Sequence, residues 1–379
     1  MIDRAFREAD AAFDWFKHQL RSRREPGCYH IQPYRGFGTA DSITVSGRVL
    51  EGDSVPAARQ DDALFRNFWH SVRRLSSDEV PLATVRATRG QESVTVTADY
   101  EGFFSVELPQ PEGARQEGLW HEVDLELIDP APQTGPVTAR GHSLIPASQA
   151  RFGVISDIDD TVVQTDVANL LRMVRLVLLT NAHTRLPFEG VADFYHALHR
   201  GAGGPRVNPL FYVSSSPWNL YDLLTEVFDV HRVPSGPMLL KDYGIARDLL
   251  LSRGHVEHKL EAIARILTTY PGLPFILVGD SGQKDPEIYL ETVRRHPGRI
   301  SAIYVRDVRP DDRDRELHDI TAQLAGLGVE MILSQDTLGA AEHAAARGFI
   351  DPEALLAVRG GRAADREAPG AFGSVVRGK

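Results

Sequence analysis

A single cysteine, Cys28, stands in the chain's 379 residues, so no disulfide can close within it, and a reducing compartment suits it. No run of roughly 18 apolar residues occurs, the length a membrane-spanning helix needs. The start, Met1-Ile2-Asp3-Arg4, is charged and leads into no apolar stretch of signal-peptide length. Export is therefore not expected, and a cytoplasmic location is. Cations are not in excess either. The formal net charge is −10, which excludes a general affinity for nucleic acid or anionic lipid and leaves only local basic patches for such contacts. Internal repeats are missing too. What remains is ordinary globular material, 42% hydrophobic and 25% charged, long enough for about two or three domains.

The densest chemistry follows a short apolar run. Phe152-Gly153-Val154-Ile155-Ser156 reads as a buried strand and leads into Asp157-Ile158-Asp159-Asp160-Thr161. Asp157 and Asp159 are two residues apart, so both face one side if the strand continues. If the chain turns, both face one small pocket. Carboxylates this close repel unless a cation neutralises them. Attack on a phosphomonoester is one chemistry that uses such a cluster: one carboxylate attacks, a neighbour carries a proton, and Mg²⁺ screens both. An isolated DxDxT would be no more than an acidic turn closing a strand.

Three further parts follow in order. Leu210-Phe211-Tyr212-Val213 is a second buried-strand run, ending in Ser214-Ser215-Ser216-Pro217-Trp218. His258-Lys259-Leu260 opens an amphipathic stretch with Leu260, Ile263, Ala264 and Leu267 at helical spacing. Phe275-Ile276-Leu277-Val278 is a third strand, running into Gly279-Asp280-Ser281-Gly282-Gln283-Lys284-Asp285. Acid pair, hydroxyl, lysine and second acid pair, each near a strand end or helix start, are what a metal-dependent phosphatase pocket requires.

These stretches resemble the motifs of the haloacid dehalogenase superfamily. Within it, DIDDT, YVSSSPWNLY, HKL and GDSGQKDPEIY are similar to the actin-patch type of Mg²⁺-dependent phosphatidate phosphatase, over roughly residues 150 to 310. The SSPW and GDSGxxDPEIY stretches are far more specific than the generic motifs. The resemblance implies that Asp157 is the nucleophile that becomes an aspartyl phosphate and Asp159 the general acid and base. It implies that Thr161 supports the loop, that Ser214 and Ser215 meet phosphoryl oxygens, and that Lys259 neutralises nucleophile and phosphate. Mg²⁺ would be held by Asp157, the Asp159 carbonyl and Asp280, with Asp285 as a further ligand or as an outer partner of the ligands, an all-oxygen set that suits it. Two positions stay open. The hydroxyl could come from Ser214, Ser215 or Ser216; Ser214 is preferred because it directly follows the apolar run. The lysine could be Lys241, after Leu239-Leu240; Lys259 is preferred because it stands just ahead of the helix feeding the Phe275 strand.

The expected organisation is an α/β, doubly wound parallel-sheet haloacid dehalogenase-like domain preceded by a small all-β sandwich. Residues 1–28 carry Phe6, Ala9, Phe13, Phe16 and Leu20 at helical steps, ending near basic Arg21 to Arg24. Residues 29–148 read as short alternating strands of a transthyretin- or immunoglobulin-type sandwich, with Phe65 to His70 as a helical crossing. Ala98 to Phe104 has the turn chemistry of a hairpin. His70, His121 and His142 are too widely spaced to form a catalytic set. Residues 149–359 alternate strand and helix, and sites in such sheets lie at the carboxyl ends of strands. Residues 360–379 read as a disordered tail.

Residues 162–208 would be a cap insert. Within it, Val167 to Leu179 is unusually apolar but too short to span a bilayer. Arg172 and Arg175 sit three apart on one helical face. The segment is either a buried cap helix or an interfacial helix offering arginines to phosphate headgroups, a peripheral membrane contact. The reading is thus a Mg²⁺-dependent phosphomonoesterase acting on phosphatidate to give diacylglycerol and phosphate, with no nucleic-acid partner. Two rivals stay open: a phosphatase of a soluble phosphomonoester or phosphoprotein, and a phosphatidate-binding module without turnover.

Overall fold

The computed structural model describes residues 28–52, 78–110, 118–133, 135–158, 190–204, 207–241, 253–308 and 313–367. The amphipathic stretch before Cys28, the 65–70 crossing, Asp159 to Thr161, the apolar segment 167–179 with Arg172 and Arg175, and residues 368–379 lie outside them. Two compact units separate, one formed by Met1–Gly36, Ser42–Pro111 and Glu122–Ser143, the other by Phe37–Asp41, Glu112–His121 and Leu144–Lys379.

The first part of the chain supplies strands β1 (Tyr29–Tyr34), β2 (Gly36–Phe37), β3 (Ser42–Glu51), β4 (Asp78–Glu79) and β5 (Thr84–Arg89). It continues with β6 (Glu92–Thr97), β7 (Phe103–Pro109), β8 (Trp120–Asp129) and β9 (Thr138–Leu144). Strand β3 pairs antiparallel with β1, β4 and β7, while β9, β8, β5 and β6 lie in that order in a second sheet. Alternation decides the faces: Phe104, Val106 and Leu108 of β7 and Val123, Leu125 and Leu127 of β8 are buried, and their neighbours are not. Residues 98–104 depart from the expected hairpin, because β6 pairs with β5 whereas β7 pairs with β3. The turn therefore carries the chain from one sheet to the other. Asp99 closes it by accepting the amides of Glu101 and Phe103, each at 2.9 Å.

The second unit is built on a six-stranded parallel sheet. Its strands are β10 (Gly153–Asp157), β11 (Leu210–Pro217), β12 (Met238–Lys241), β13 (Phe275–Asp280), β14 (Ile300–Arg306) and β15 (Met331–Ser334), in the spatial order β12-β11-β10-β13-β14-β15. Strands β10 and β13 are buried along their whole length, which is why their sequences read as unbroken apolar runs. The chain adds β11 and β12 on one side of β10 and then returns to add β13 on the other. Such a reversal opens a crevice at the carboxyl ends of β10 and β13.

Helices α1 (Val191–Arg200), α2 (Tyr221–Val230), α3 (Arg253–Thr269) and α4 (Asp285–Arg295) connect or cover these strands, followed by α5 (Asp314–Gly326), α6 (Thr337–Ala346) and α7 (Ala354–Glu367). α3 turns Ala262, Ile263, Ile266 and Leu267 into the core beside Ile155, Phe211 and Leu277. α4 adds Ile288, Tyr289 and Val293 to the same core. α1 lies inside the span read as an insert, and it packs on the sheet: Tyr195 stacks on Tyr212 at 6.4 Å between centroids, and Phe194 meets Tyr304 edge-on. No helix among the described residues is long and apolar enough to cross a membrane.

Candidate active site and metal centre

All the motifs but the one that carries Lys259 end strands at the carboxyl end of the parallel sheet. Asp157 closes β10, Lys241 closes β12 and Asp280 closes β13, which places all three at the carboxyl end of the sheet. The serines that follow the Leu210–Val213 run belong to the strand itself, because β11 runs on through Ser214, Ser215 and Ser216 to Pro217. Ser214 is fully buried, and its Oγ accepts the Ser216 amide at 2.8 Å; Ser215 is half-buried.

Lys259 is also placed differently from expectation. It lies in the second turn of α3, which starts at Arg253, not ahead of the helix. The spacing from Lys259 to Ile263 and Ile266 puts it on the helix's apolar face. It is therefore carried under the sheet edge and left 3% exposed. There its Nζ lies 2.7 Å from Asp157 Oδ1 and 2.6 Å from Asp285 Oδ1. Burial opposes the charge on this ammonium, but the two carboxylates outweigh it, and the pKa is raised from its ordinary value. His258, its neighbour, lies close to the backbone of Leu239 in β12 and Ser214 in β11. Burial lowers the His258 pKa, and the backbone of Leu239 and Ser214 opposes that shift. Lys241 is buried at the end of β12, beside the first turn of α3, where a Cβ on Gly254 would come within 3.0 Å of its Nζ.

The second acid pair folds back on itself. Asp280 Oδ1 accepts the amides of Gly282 at 2.6 Å and Gln283 at 3.0 Å, while Asp285 Oδ2 accepts the Asp280 amide at 3.3 Å. Gly279 permits this closeness, since a Cβ there would stand 2.6 Å from both Asp285 Oδ2 and the Tyr289 hydroxyl. Asp157, Asp280 and Asp285, all buried, each bring a carboxylate oxygen within 4.8 Å of the others. Three buried carboxylates against one ammonium leave net negative charge in a region of low dielectric, which a hard cation with oxygen ligands offsets. The donor set therefore fits a divalent metal.

Residues to which sequence reasoning gave no role complete the site. Ser156 donates its hydroxyl to the Asp157 carbonyl at 2.6 Å, and with that hydrogen committed, the Tyr195 phenol donates to Ser156 Oγ at 2.6 Å. Burial raises the Tyr195 pKa and keeps it a donor. Tyr289 likewise donates to the Val278 carbonyl at 2.7 Å. Two tyrosines thus brace the strands that carry Asp157 and Asp280.

The family model described as the catalytic domain of phosphatidate phosphatase APP1 matches residues 152–307. The chain is 36% identical to phosphatidate phosphatase APP1 of Saccharomyces cerevisiae over 169 residues, which cover 44% of this chain and 28% of the yeast protein. Residues 152–307 are thus similar to the catalytic domain of the APP1-type phosphatidate phosphatases. An uncharacterized protein of Schizosaccharomyces pombe is 25% identical over 250 residues, covering 64% of this chain and 40% of that protein. The chain thus spans well under half the length of either relative. A carbohydrate acetylesterase from Xanthomonas citri superposes with a TM-score of 0.27 at 12% identity, over 86% of this chain and 73% of that one, too slight a likeness to bear on fold or function. Asp157, Ser214, Lys241, Lys259, Asp280 and Asp285 all fall inside the APP1-type segment.

Proposed function

We propose that this protein is a Mg²⁺-dependent phosphomonoesterase that hydrolyses phosphatidate to diacylglycerol and phosphate through an aspartyl phosphate. The observation that carries the reading is the Lys259 ammonium seated between Asp157 and Asp285, with Asp280 within the same 4.8 Å cluster. The APP1-type segment supports phosphatidate as substrate. In this reading the second unit is a doubly wound haloacid dehalogenase-like domain, and residues 29–148 are an all-β sandwich attached to it. The protein is read as cytoplasmic, with residues 167–179 making a peripheral membrane contact.

Asp157 attacks phosphorus in line with the departing alkoxide, forming a P–O bond to its carboxylate as the bond to glycerol breaks. Asp159 protonates that alkoxide. It then takes a proton from water, which attacks the aspartyl phosphate and returns Asp157 as a carboxylate with release of phosphate. Asp157, Asp280, Asp285 and the Asp159 carbonyl would hold Mg²⁺, which when bound supplies charge neutralisation at the phosphoryl oxygens. Lys259 holds Asp157 in place and offsets charge on its carboxylate and on the incoming phosphoryl group. Ser214 and Ser215 contact phosphoryl oxygens, and Thr161 supports the loop.

The test is phosphate release from phosphatidate vesicles beside a panel of soluble phosphomonoesters, including a phosphopeptide. Preferred turnover of phosphatidate supports the reading. Preferred turnover of a soluble ester would move the protein to another substrate class. Tight vesicle binding with no release on any substrate would make it a lipid-binding module.

A further inference from the structure

The loop between β13 and α4 carries both Asp280 and Asp285, and it is held from two sides. On the inside, Asp280 Oδ1 takes the amides of Gly282 and Gln283. Gly282 is confined there: a Cβ would come within 2.8 Å of Val308 Cγ2 and 3.0 Å of Asp280 Oδ1. On the outside, the loop's carbonyls turn away from the acids and meet Arg313. Arg313 Nη1 donates to the Ser281 carbonyl at 2.9 Å and to the Gln283 carbonyl at 2.6 Å. The same guanidinium donates through Nη2 to Glu287 at 2.6 Å, in the first turn of α4, and through Nε to Glu316 at 2.9 Å, in the first turn of α5. The Arg313 side chain is 19% exposed.

Four hydrogen bonds in one plane are a task for guanidinium. A lysine ammonium has three donors on a flexible stem and cannot address two carbonyls and two carboxylates at once. Arg313 lies beyond the 152–307 segment and touches none of Asp157, Asp280, Asp285 or Lys259 in the described hydrogen bonds and ion pairs. Its two carbonyl partners, however, flank the very amides that close on Asp280. Moving either carbonyl rotates its peptide plane and with it the Gly282 or Lys284 amide that follows.

We infer that Arg313 is a positioning residue for the metal centre, fixing the Ser281–Lys284 loop so that Asp280 and Asp285 present their carboxylates together to a divalent cation. The inference rests on the proposed metal role of those acids. Outer partners of metal ligands commonly contribute about 10- to 100-fold in metal affinity. The corresponding loss is expected when Arg313 is replaced.

The experiment measures Mn²⁺ binding by calorimetry to wild type, Arg313→Ala, Arg313→Lys and Glu316→Gln, with folding checked by thermal melts. Arg313→Ala should bind Mn²⁺ about 10- to 100-fold more weakly and Arg313→Lys should fall between. Glu316→Gln, which loosens α5 but leaves both carbonyl contacts, should bind as wild type. At saturating Mg²⁺ the KM of Arg313→Lys for para-nitrophenyl phosphate should stay within about twofold of wild type, because the side chain meets no substrate. Wild-type Mn²⁺ affinity in a folded Arg313→Ala would overturn the inference while leaving the metal reading intact. If Arg313→Ala fails to fold, wild-type affinity in Arg313→Lys would overturn it equally. No Mn²⁺ binding by the wild type would overturn the metal reading, and the inference with it.

Discussion

The Lys259 ammonium lies 2.7 Å from the Asp157 carboxylate, a pairing of the second turn of α3 with the last residue of β10. Both groups are almost wholly buried, so neither can fall back on water. Burial works against the lysine's charge, yet Asp157 and Asp285 raise its pKa above the ordinary 10.5. A raised lysine contributes stability that is complete below its unfolded pKa and declines only as pH rises through the folded value. The contribution is therefore intact at neutral pH.

Lys259→Met tests this balance. Removing one partner from a buried pair typically costs about 3–5 kcal/mol because the other charge is stranded. Thermal melts without metal should show that loss, and turnover should vanish. Added Mg²⁺ should raise the melting temperature of Lys259→Met more than that of wild type, since the cation then takes over the neutralisation that Lys259 supplied. Equal shifts in both proteins would contradict the shared-charge account.

Asp280 has two tasks that substitution can separate. Asn keeps an oxygen for the Gly282 and Gln283 amides but loses the charge, whereas Ala loses both. Asp280→Asn should melt near wild type and bind Mn²⁺ more weakly by more than the ~10–100-fold expected of an outer partner. Asp280→Ala should also melt lower. Calorimetry and melts on the two variants decide this, and an Asn variant with unchanged affinity would remove Asp280 from the metal set.

The strands bearing the site were legible because a sheet covered on both faces demands unbroken apolar runs, as in Val154-Ile155, Leu210 to Val213 and Phe275 to Val278. Lys259 was legible as a residue, but its place in the helix was not: Arg253, Gly254 and His255 show no apolar spacing that would mark an earlier start. The extension of β11 through three serines was hidden for the same reason, since those residues carry no strand preference of their own. Tyr195, Tyr289 and Arg313 could not be found from spacing at all. Each acts on a carbonyl or hydroxyl brought near only by the folded sheet. Asp159 and Thr161 lie outside the described residues, and their roles stand on the family resemblance.

A pH effect on stability follows from His199. Its Nδ1 donates to the Asn208 carbonyl at 2.7 Å, and Asn208 in turn accepts the Arg151 amide and donates to the Leu198 carbonyl. Burial lowers the His199 pKa from 6.5, although the bond to Asn208 opposes that shift. As pH falls through 6.5 the unfolded chain takes the proton first, so stability is lost from there down to the lower folded value. His199→Gln should narrow the difference in melting temperature between about pH 7.5 and about pH 5.5. An unchanged difference would mean that other groups set the acid sensitivity.

The lipid assignment makes a prediction for residues 167–179. Replacing Arg172 and Arg175 together with Gln should weaken activity on phosphatidate vesicles, most at low salt where their attraction is least screened. Hydrolysis of para-nitrophenyl phosphate should change little. Equal loss on both substrates in a folded variant would give the segment a part in shaping the active site instead.

The central claim is that Asp157 attacks phosphatidate with a divalent cation bound beside it. Its most direct test is phosphate release from phosphatidate vesicles by wild type and Asp157→Asn, each with Mg²⁺ and with EDTA. The substitution keeps the side chain's volume while removing the nucleophile. Release is predicted only from wild type with Mg²⁺, with a loss on the order of 10⁴-fold or more in Asp157→Asn, as for other covalent hydrolases stripped of their nucleophile. Comparable release from folded Asp157→Asn, or from wild type in EDTA, would contradict the account.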